Sequence, residues 1–217
     1  MTSNAFILIL ARGGSKRIPR KALQKVGKLS LLENAIQIGH ETGLKIVVSS
    51  DDEEILNIAK SRKAETISRP ENLASDTATS VSAAIHAVRN LDKAYESVIL
   101  LQVTNPFVTS DQILQAYQVH KEKNIAVFSA IKFSRVLWAW DASQPLFPRF
   151  QGVRSQDLTP VFLPAGAFFI TKVKDLVETE SFFKPKAAPF EIPEESGIDI
   201  DTPLDLELAR YLWHQRL

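Results

Sequence analysis

A short apolar segment near the start of the chain leads directly into a loop rich in glycine and cationic residues. Residues Phe6–Leu10 are all apolar and mostly branched, which predicts a strand buried on both faces. In open α/β sheets, ligands bind at the carboxyl ends of the strands, and glycines such as Gly13 and Gly14 let backbone N–H groups approach an anion there. The segment therefore predicts an α/β fold with an anion site after its first core strand.

The loop carries five cationic side chains, namely Arg12, Lys16, Arg17, Arg20 and Lys21. No acidic residue occurs between positions 12 and 28, so we expect a ligand such as a triphosphate to neutralise this charge. Pro19 restricts the backbone, and we expect it to hold the loop open with Arg20 and Lys21 directed the same way. The loop matches neither GxxxxGK[ST] nor GxGxxG, and the alternative is a solvated basic loop or a weak nucleic-acid contact.

Composition narrows the class of protein. A chain of 217 residues, 45% of them hydrophobic, is long enough for one substantial core, so we expect a single domain over residues 1–217. The net charge of +1 gives no general indication of a nucleic-acid or membrane partner, and we expect neither. The absence of cysteine excludes disulfides, thiolate catalysis and cysteine metal sites. No signal peptide is evident before Phe6, and no apolar run approaches the roughly 20 residues of a membrane span, so we expect a cytoplasmic protein.

Two further predicted strands, Ile46–Val48 and Ser97–Val103, lead into polar residues, and helical patterns separate the strands. The acids Asp51–Glu54 after the first of them are best explained as caps of the next helix. The strand Ser97–Val103 ends in uncharged polar groups, Gln102 and the segment Thr104–Pro106, which suit hydrogen bonding to a polyhydroxylated substrate. The alternation of strands and helices predicts a mainly parallel sheet whose strand ends share one edge.

The second half of the chain contributes one irregular segment and one acidic pair. Residues 132–164 lose periodicity and combine aromatic residues with prolines, so we expect them to fold over the sheet or against a second subunit. Asp199 and Asp201 lie two apart in a predicted extended segment, which places both carboxylates on one side. Together with the cationic loop, such a pair is what a Mg²⁺-dependent reaction of a nucleoside triphosphate requires, whereas alone it is common by chance.

Six blocks of sequence, in order along most of the chain, resemble the successive motifs of the CMP-sialic acid synthetase (acylneuraminate cytidylyltransferase) family. They are ARGGSKRIPRK at 11–21, VVSSDDEEI at 47–55, RPENLASDTA at 69–78, LLQVTNP at 100–106, RSQDLTP at 154–160 and GIDIDTPLDL at 197–206. The resemblance implies a Rossmann-like, three-layer α/β nucleotidyltransferase with a mainly parallel sheet. It also implies a homodimer in which part of the irregular segment reaches the partner's site.

The resemblance further implies a reaction and the residues that serve it. CTP and a 2-keto-3-deoxy sugar acid would give a CMP-sugar and pyrophosphate, with Mg²⁺ as cofactor and no covalent enzyme intermediate. The implied nucleotide-binding residues are Leu10, Ala11, Arg12, Gly13, Gly14, Ser15, Lys16 and Lys21 in the first loop, with Arg69, Ala78 and Ser80 at the cytidine. The implied substrate residues are Gln102, Arg154 and Gln156, the metal ligands Asp199 and Asp201, and the catalytic residues Arg12, Lys21 and Asp201.

Three departures from the family pattern leave the sugar open. Ala22 follows Lys21 where the family usually has asparagine, and Ala165 replaces the asparagine of the Asn-Gly-Ala motif of sialic acid members. In the motif that resembles LLQPTSP, Val103 replaces the first proline and Asn105 replaces the serine. The Ala-Gly pair is nearer the pseudaminic acid branch, although Ala167 then stands where that branch usually has glutamine. The alternatives are a nucleotidyltransferase for another nucleotide or sugar, a nucleotide binder without turnover, and a nucleic-acid-binding protein.

Overall fold

The computed structural model describes residues 4–75, 77–133, 154, 157 and 161–216. The strands are β1 (Ala5–Leu10), β2 (Lys25–Val26), β3 (Leu29–Ser30), β4 (Lys45–Ser50), β5 (Glu65–Ser68), β6 (Ser97–Leu101), β7 (Ala126–Phe133), β8 (Val161–Lys172) and β9 (Ala187–Glu191). The helices are α1 (Leu31–Glu41), α2 (Glu53–Ser61), α3 (Ser80–Arg89), α4 (Ser110–Lys123), α5 (Val173–Thr179) and α6 (Pro203–Gln215). Strands and helices alternate through the first half, as the sequence pattern predicts.

Seven strands form one sheet in the order β5-β4-β1-β6-β8-β7-β9. β1 pairs in parallel with β4 and β6, and β7 pairs in parallel with β9. β8 lies between β6 and β7 and is antiparallel to both. The first loop, which follows β1, therefore leaves the sheet between the strand ends of β4 and β6.

Helices cover both faces of this sheet. Alternate residues of β1 face opposite sides, so that Ile7 and Ile9 join one apolar cluster while Phe6 and Leu8 join the other. The first cluster includes buried residues of α1, α2, α4 and α6, and the second includes those of α3 and α5. The expected three-layer α/β architecture with a mainly parallel sheet is confirmed.

Short-range signals in the sequence account for the helix ends. The Ser30 side chain accepts a hydrogen bond from the backbone N–H of Glu33, and the Glu33 carboxylate accepts one from the Ser30 N–H, which is the predicted capping box of α1. Gly43 follows that helix with a φ of 71°. Thr202 caps α6 and Pro203 opens it, also as predicted.

The irregular segment is shorter than the sequence predicts. Lys132 and Phe133 belong to β7, which pairs with the first residues of β8, Val161 to Pro164, in an antiparallel ladder. The prediction failed at these ends because the pattern has no clean alternation and Pro164 argues against a strand. The part of the segment between positions 134 and 160 lies outside the described residues except Arg154 and Asp157.

Candidate active site

A cleft opens at the carboxyl ends of β1 and β6. It consists of two adjoining pockets with volumes of about 460 and 400 Å³. The residues that line both pockets are Leu10, Arg12, Lys21, Gln102, Thr104 and Asp201. The structure thus brings the cationic loop and the acidic pair, about 180 positions apart in the sequence, to one cleft.

The first loop forms the wall of the smaller pocket. Ala11, Arg12, Gly14, Ser15, Lys16 and Arg17 line it, together with Lys21 and Ala22. Gly13 is different, because its N–H donates to Asp51 Oδ1 at 3.3 Å, and a Cβ there would lie 2.5 Å from Asp52 Oδ2. Gly13 therefore lets the loop pack against the start of α2 and does not line the cleft, contrary to the expectation of an anion-binding N–H at this position.

Carboxylates that are distant in sequence pair with three of the loop's cations, so the expectation that only a ligand would neutralise them is wrong. Lys21 Nζ donates to Asp201 Oδ1 at 2.9 Å and to the carbonyl oxygen of Ile200 at 2.8 Å, and Arg17 lies 3.3 Å from Asp201 Oδ2. Arg20 instead contacts Asp52 and Glu54.

Arg20 and Lys21 also do not point the same way. Arg20 has a left-handed backbone with a φ of 52°, and Lys21 begins a short 3₁₀ turn, so that their side chains reach carboxylates on different segments. Pro19 restricts only its own φ and the conformation of Ile18, and it leaves Arg20 free to turn the chain. As a result, Lys21 lines the cleft, whereas Arg20 braces the loop against α2.

Asp199 and Asp201 both line the larger pocket, as their spacing predicts. Solvent reaches Asp199 from the cleft, but the surrounding protein still desolvates its carboxylate and raises its pKa, and the charge of Asp201 adds to this effect. The hydrogen bond from Lys21 lowers the pKa of Asp201, with further contributions from the charges of Lys21 and Arg17. The two carboxylates therefore differ in how strongly neighbouring cations already stabilise their charge.

The acidic pair fits a Mg²⁺ ion that is shared with a bound phosphate. Within the described part of the chain no group of three or more histidine or acidic residues could hold a metal. Mg²⁺ is commonly held by one or two carboxylates, with water and phosphate oxygens completing its shell, so two aspartates facing a cationic loop are a suitable donor set.

Arg69 occupies the other end of the larger pocket, beside Ala78 and Ser80. Its side chain is only 6% exposed, and Nη2 lies 3.6 Å from Asp51 Oδ1, too far for a hydrogen bond. Neither Nε nor Nη2 has a hydrogen-bond partner in the described structure. Burial lowers the pKa of Arg69, an effect that the nearby Asp51 charge partly offsets. The guanidinium is thus a buried cation at the wall of the larger pocket, with Nε and Nη2 covered by protein atoms.

Of the two expected substrate residues that the structure describes, Gln102 and Arg154, only Gln102 lines the cleft. Arg154 is exposed, is not part of either pocket wall, and its Nε donates to Asp157 Oδ2 at 2.6 Å. Gln156 lies outside the described residues.

The sequence interpretation missed the roles of two polar residues. Asp52 caps α2, but Asp51, which we also expected to cap it, instead accepts from Gly13 and faces Arg69. Asn105, expected to face a substrate, is 1% exposed and its side chain points into the protein. The adjacent Thr104 lines the cleft. Local sequence carries no signal that separates Asp51 from Asp52, because the partners of Asp51, Gly13 and Arg69, lie in loops distant in the sequence.

Comparison with known proteins agrees with this fold. The structure superposes on CMP:2-keto-3-deoxy-manno-octonic acid synthetase complexed with CTP with a TM-score of 0.75, at 16% identity, covering 99% of this chain and 100% of that one. For the 4-diphosphocytidyl-2C-methyl-D-erythritol synthase of Anaerococcus prevotii the TM-score is 0.70 at 15% identity, covering 98% and 100%. The likeness to both structures confirms the predicted nucleotidyltransferase fold.

Sequence comparison narrows that class. The family model described as cytidylyltransferase matches residues 6–187, and the chain belongs to this family. It is 34% identical to the pseudaminic acid cytidylyltransferase of Campylobacter jejuni over 95% of this chain and 94% of that protein. It is 33% identical to the N-acylneuraminate cytidylyltransferase of Escherichia coli over 96% of this chain and 52% of that protein. The resemblance to the CMP-sialic acid synthetase family, near its pseudaminic acid branch, is confirmed.

Proposed function

We propose that the protein transfers CMP from CTP to the anomeric hydroxyl of a nonulosonate, a sialic acid-like 2-keto-3-deoxy sugar acid, and releases pyrophosphate. The observation that carries this proposal is the convergence of the cationic loop with Asp199 and Asp201 on one cleft, bridged by the contact between Lys21 and Asp201. The names of the relatives, which include a pseudaminic acid cytidylyltransferase, support a sugar acid of that class.

In this proposal the triphosphate lies along the smaller pocket. Arg12, Lys16 and Lys21 present cationic groups at its wall, and Gly14 and Ser15 provide backbone N–H groups and a hydroxyl. These groups hold the phosphates in place and stabilise the negative charge that develops on the departing pyrophosphate. Arg12 is braced for this role, because Nη1 donates to the carbonyl oxygen of Ser75 at 3.4 Å.

The cytidine occupies the end of the larger pocket. Arg69 lines the pocket there, beside the start of α3 at Ser80, and a guanidinium is a strong hydrogen-bond donor to a base or ribose. The hydroxyl that caps α3 belongs to Thr79, which accepts from the Ser82 N–H, so the Ser80 side chain is not needed for the cap. Ala78 completes this end of the wall with a small apolar surface.

The sugar acid approaches from the side of Gln102, which lies between the two pockets and can donate or accept hydrogen bonds. We propose Arg154 and Gln156 as further contacts to it on the basis of the sequence motif at 154–160 alone. The anomeric hydroxyl attacks the α-phosphorus in line, without a covalent enzyme intermediate. Catalysis of this kind depends on positioning and charge stabilisation.

Asp199 and Asp201 would hold Mg²⁺ at the cleft. When bound, the ion would lower the pKa of the attacking hydroxyl and offset phosphate charge. Lys21 fixes the position of Asp201, since its ammonium contacts both the Asp201 carboxylate and the preceding carbonyl group. Arg12, Lys21 and Asp201 are the proposed catalytic residues.

Pyrophosphate release, measured with CTP, UTP, GTP and ATP against a set of sugar acids that includes pseudaminic, sialic and legionaminic acids, tests this proposal. We expect turnover only with CTP, only when Mg²⁺ is present, and with one sugar acid preferred. Turnover with another nucleotide alone would refute the CTP assignment, and nucleotide binding without turnover would identify a non-catalytic binder. We also propose a cytoplasmic homodimer, and light scattering on the purified protein checks the dimer.

No helix in the described ranges is long and apolar enough to cross a membrane.

A further inference from the structure

A buried carboxamide joins three segments that meet behind the cleft. Asn105 lies in the turn after β6 and is 1% exposed. Its Nδ2 donates to the carbonyl oxygen of Ala165 on β8 at 3.1 Å and to that of Ile198, in the segment before α6, at 3.2 Å. Its Oδ1 accepts from the hydroxyl of Thr104 at 3.3 Å. Both ends of the carboxamide are therefore engaged.

These contacts lie on either side of Asp199. Asn105 holds the carbonyl group of Ile198, and the N–H of Ile200 donates to the carbonyl oxygen of Thr104 at 2.9 Å. The turn after β6 thus fixes the backbone immediately before and after the proposed metal ligand.

The hydrogen bond from Asn105 to Ala165 positions the part of β8 that lines the cleft. Ala165 precedes Gly166, which lines the cleft with a φ of 74°, and a Cβ on Gly166 would lie 3.8 Å from Asp199 Oδ2. By binding both carbonyl groups, the Asn105 carboxamide ties the backbone of the Asp199 segment to β8. Asn105 and Ala165 are also two of the positions at which the sequence departs from the family pattern described above.

We propose that Asn105 is a positioning residue that sets the geometry of Asp199 for the metal. The proposal rests on the proposed function. Asn105 itself lines neither pocket of the cleft, so it acts through the backbone of residues 198–200. Mg²⁺ demands nearly ideal octahedral geometry, so a small displacement of one carboxylate weakens its binding.

The test compares Asn105→Ala and Asn105→Asp with Asn34→Ala. Asn34 is a matched control, because it is also buried and its Nδ2 donates at 2.9 Å to the carbonyl oxygen of Pro106, in the same turn. Asn34 lines neither pocket of the cleft. Asn105→Asp keeps the shape of the side chain but places an acceptor against two carbonyl oxygens. Thermal unfolding of each variant measures the purely structural loss.

Mn²⁺ binding to the protein–CTP complex, followed by electron paramagnetic resonance, is the main measurement. We expect each Asn105 variant to weaken Mn²⁺ binding about tenfold or more, in line with the effect of groups that orient metal ligands. The Mg²⁺ concentration for half-maximal turnover should rise by a similar factor, with kcat lowered and KM for CTP nearly unchanged. Asn34→Ala should shift Mn²⁺ affinity by about twofold or less, even if it loses as much thermal stability as the Asn105 variants do.

The outcomes separate this inference from the proposed function. If wild-type protein turns over and the Asn105 variants match Asn34→Ala in Mn²⁺ affinity at equal loss of stability, the inference is wrong and the proposed function stands. If wild-type protein binds CTP and Mn²⁺ without turnover, Mn²⁺ affinity still decides the role of Asn105. Should Asn105→Ala fail to fold, Asn105→Ser takes its place with the same expected direction, because a hydroxyl has one proton and can donate to at most one of the two carbonyl oxygens.

Discussion

Replacing Arg69 with methionine tests the cytidine end of the cleft. Methionine fills a similar volume but removes the guanidinium charge and its hydrogen-bond donors from the wall of the larger pocket. A hydrogen bond that involves a charged group contributes about 1.5–3 kcal/mol, and we expect the Arg69 guanidinium to contribute about that much to nucleoside binding. We therefore expect Arg69→Met to weaken CTP binding by about 10- to 100-fold.

The fold should tolerate this change. Arg69 and Asp51 do not share a hydrogen bond, and Asp51 keeps the N–H of Gly13 as a donor in the variant. The variant loses the ion pair between Arg69 and Asp51, so we expect the free energy of unfolding to fall by about 1–3 kcal/mol, which a stable domain can absorb and still fold. A loss of affinity would then reflect a missing contact.

Isothermal titration calorimetry with CTP and with CMP, both in Mg²⁺, measures the effect. If Arg69 contacts the nucleoside, both ligands lose the same factor, whereas a contact with the β- or γ-phosphate would affect CTP alone. Arg20→Met is the control, because Arg20 is 49% exposed, lies outside the cleft and forms surface ion pairs worth about 1 kcal/mol or less. It should change CTP affinity less than about threefold. Arg69→Met protein that binds CTP within threefold of wild type would refute the reasoning.

Three further changes test other parts of the account. Asp199→Asn should abolish turnover without lowering Tm of the ligand-free protein, since it removes a charge that burial and Asp201 disfavour; a lower Tm by calorimetry would contradict this. Lys21→Met should lower the rate of pyrophosphate release about 100-fold, and an unchanged rate would exclude the proposed role of Lys21. The backbone hydrogen bond from Ser30, together with Arg62, lowers the pKa of Glu33 from its ordinary value of 4.5. The Glu33 carboxylate therefore stabilises the fold above about pH 4.5, and this stabilisation is lost as the pH falls through the pKa of the folded state. In urea unfolding, the advantage of wild type over Glu33→Gln should therefore shrink below pH 4.5, and a constant difference would show that Glu33 does not act through its charge.

Features encoded by neighbouring residues could be predicted from the sequence. The buried strand at Phe6–Leu10 and the caps at Ser30 and Thr202 depend on local patterns, and each occurs where the pattern predicts. The common edge of the sheet follows from the alternation of strands and helices, and it is why Arg12 and Asp201 could be expected to meet.

Features that depend on tertiary partners could not be predicted in this way. Arg20 pairs with an acid 32 positions away and Lys21 with one 180 positions away, and the absence of nearby acids in the loop gave no sign of either. Asn105 illustrates the same limit. A polar residue at a strand end can face the cleft or the interior, and the outcome depends on which carbonyl groups nearby lack a hydrogen-bond donor. The start of β8 was missed because Pro164 lies inside it.

The central claim is that the first loop and the aspartates at 199 and 201 bind one nucleotide and one divalent ion between them. A crystal structure of the protein with CTP and Mn²⁺ tests this most directly, because the anomalous signal of manganese locates the ion independently of the nucleotide. The account predicts the ion beside Asp199 and Asp201, in contact with phosphate oxygens, and the triphosphate against Arg12 and Lys16. An ion bound away from both aspartates, or a triphosphate outside the first loop, would contradict it.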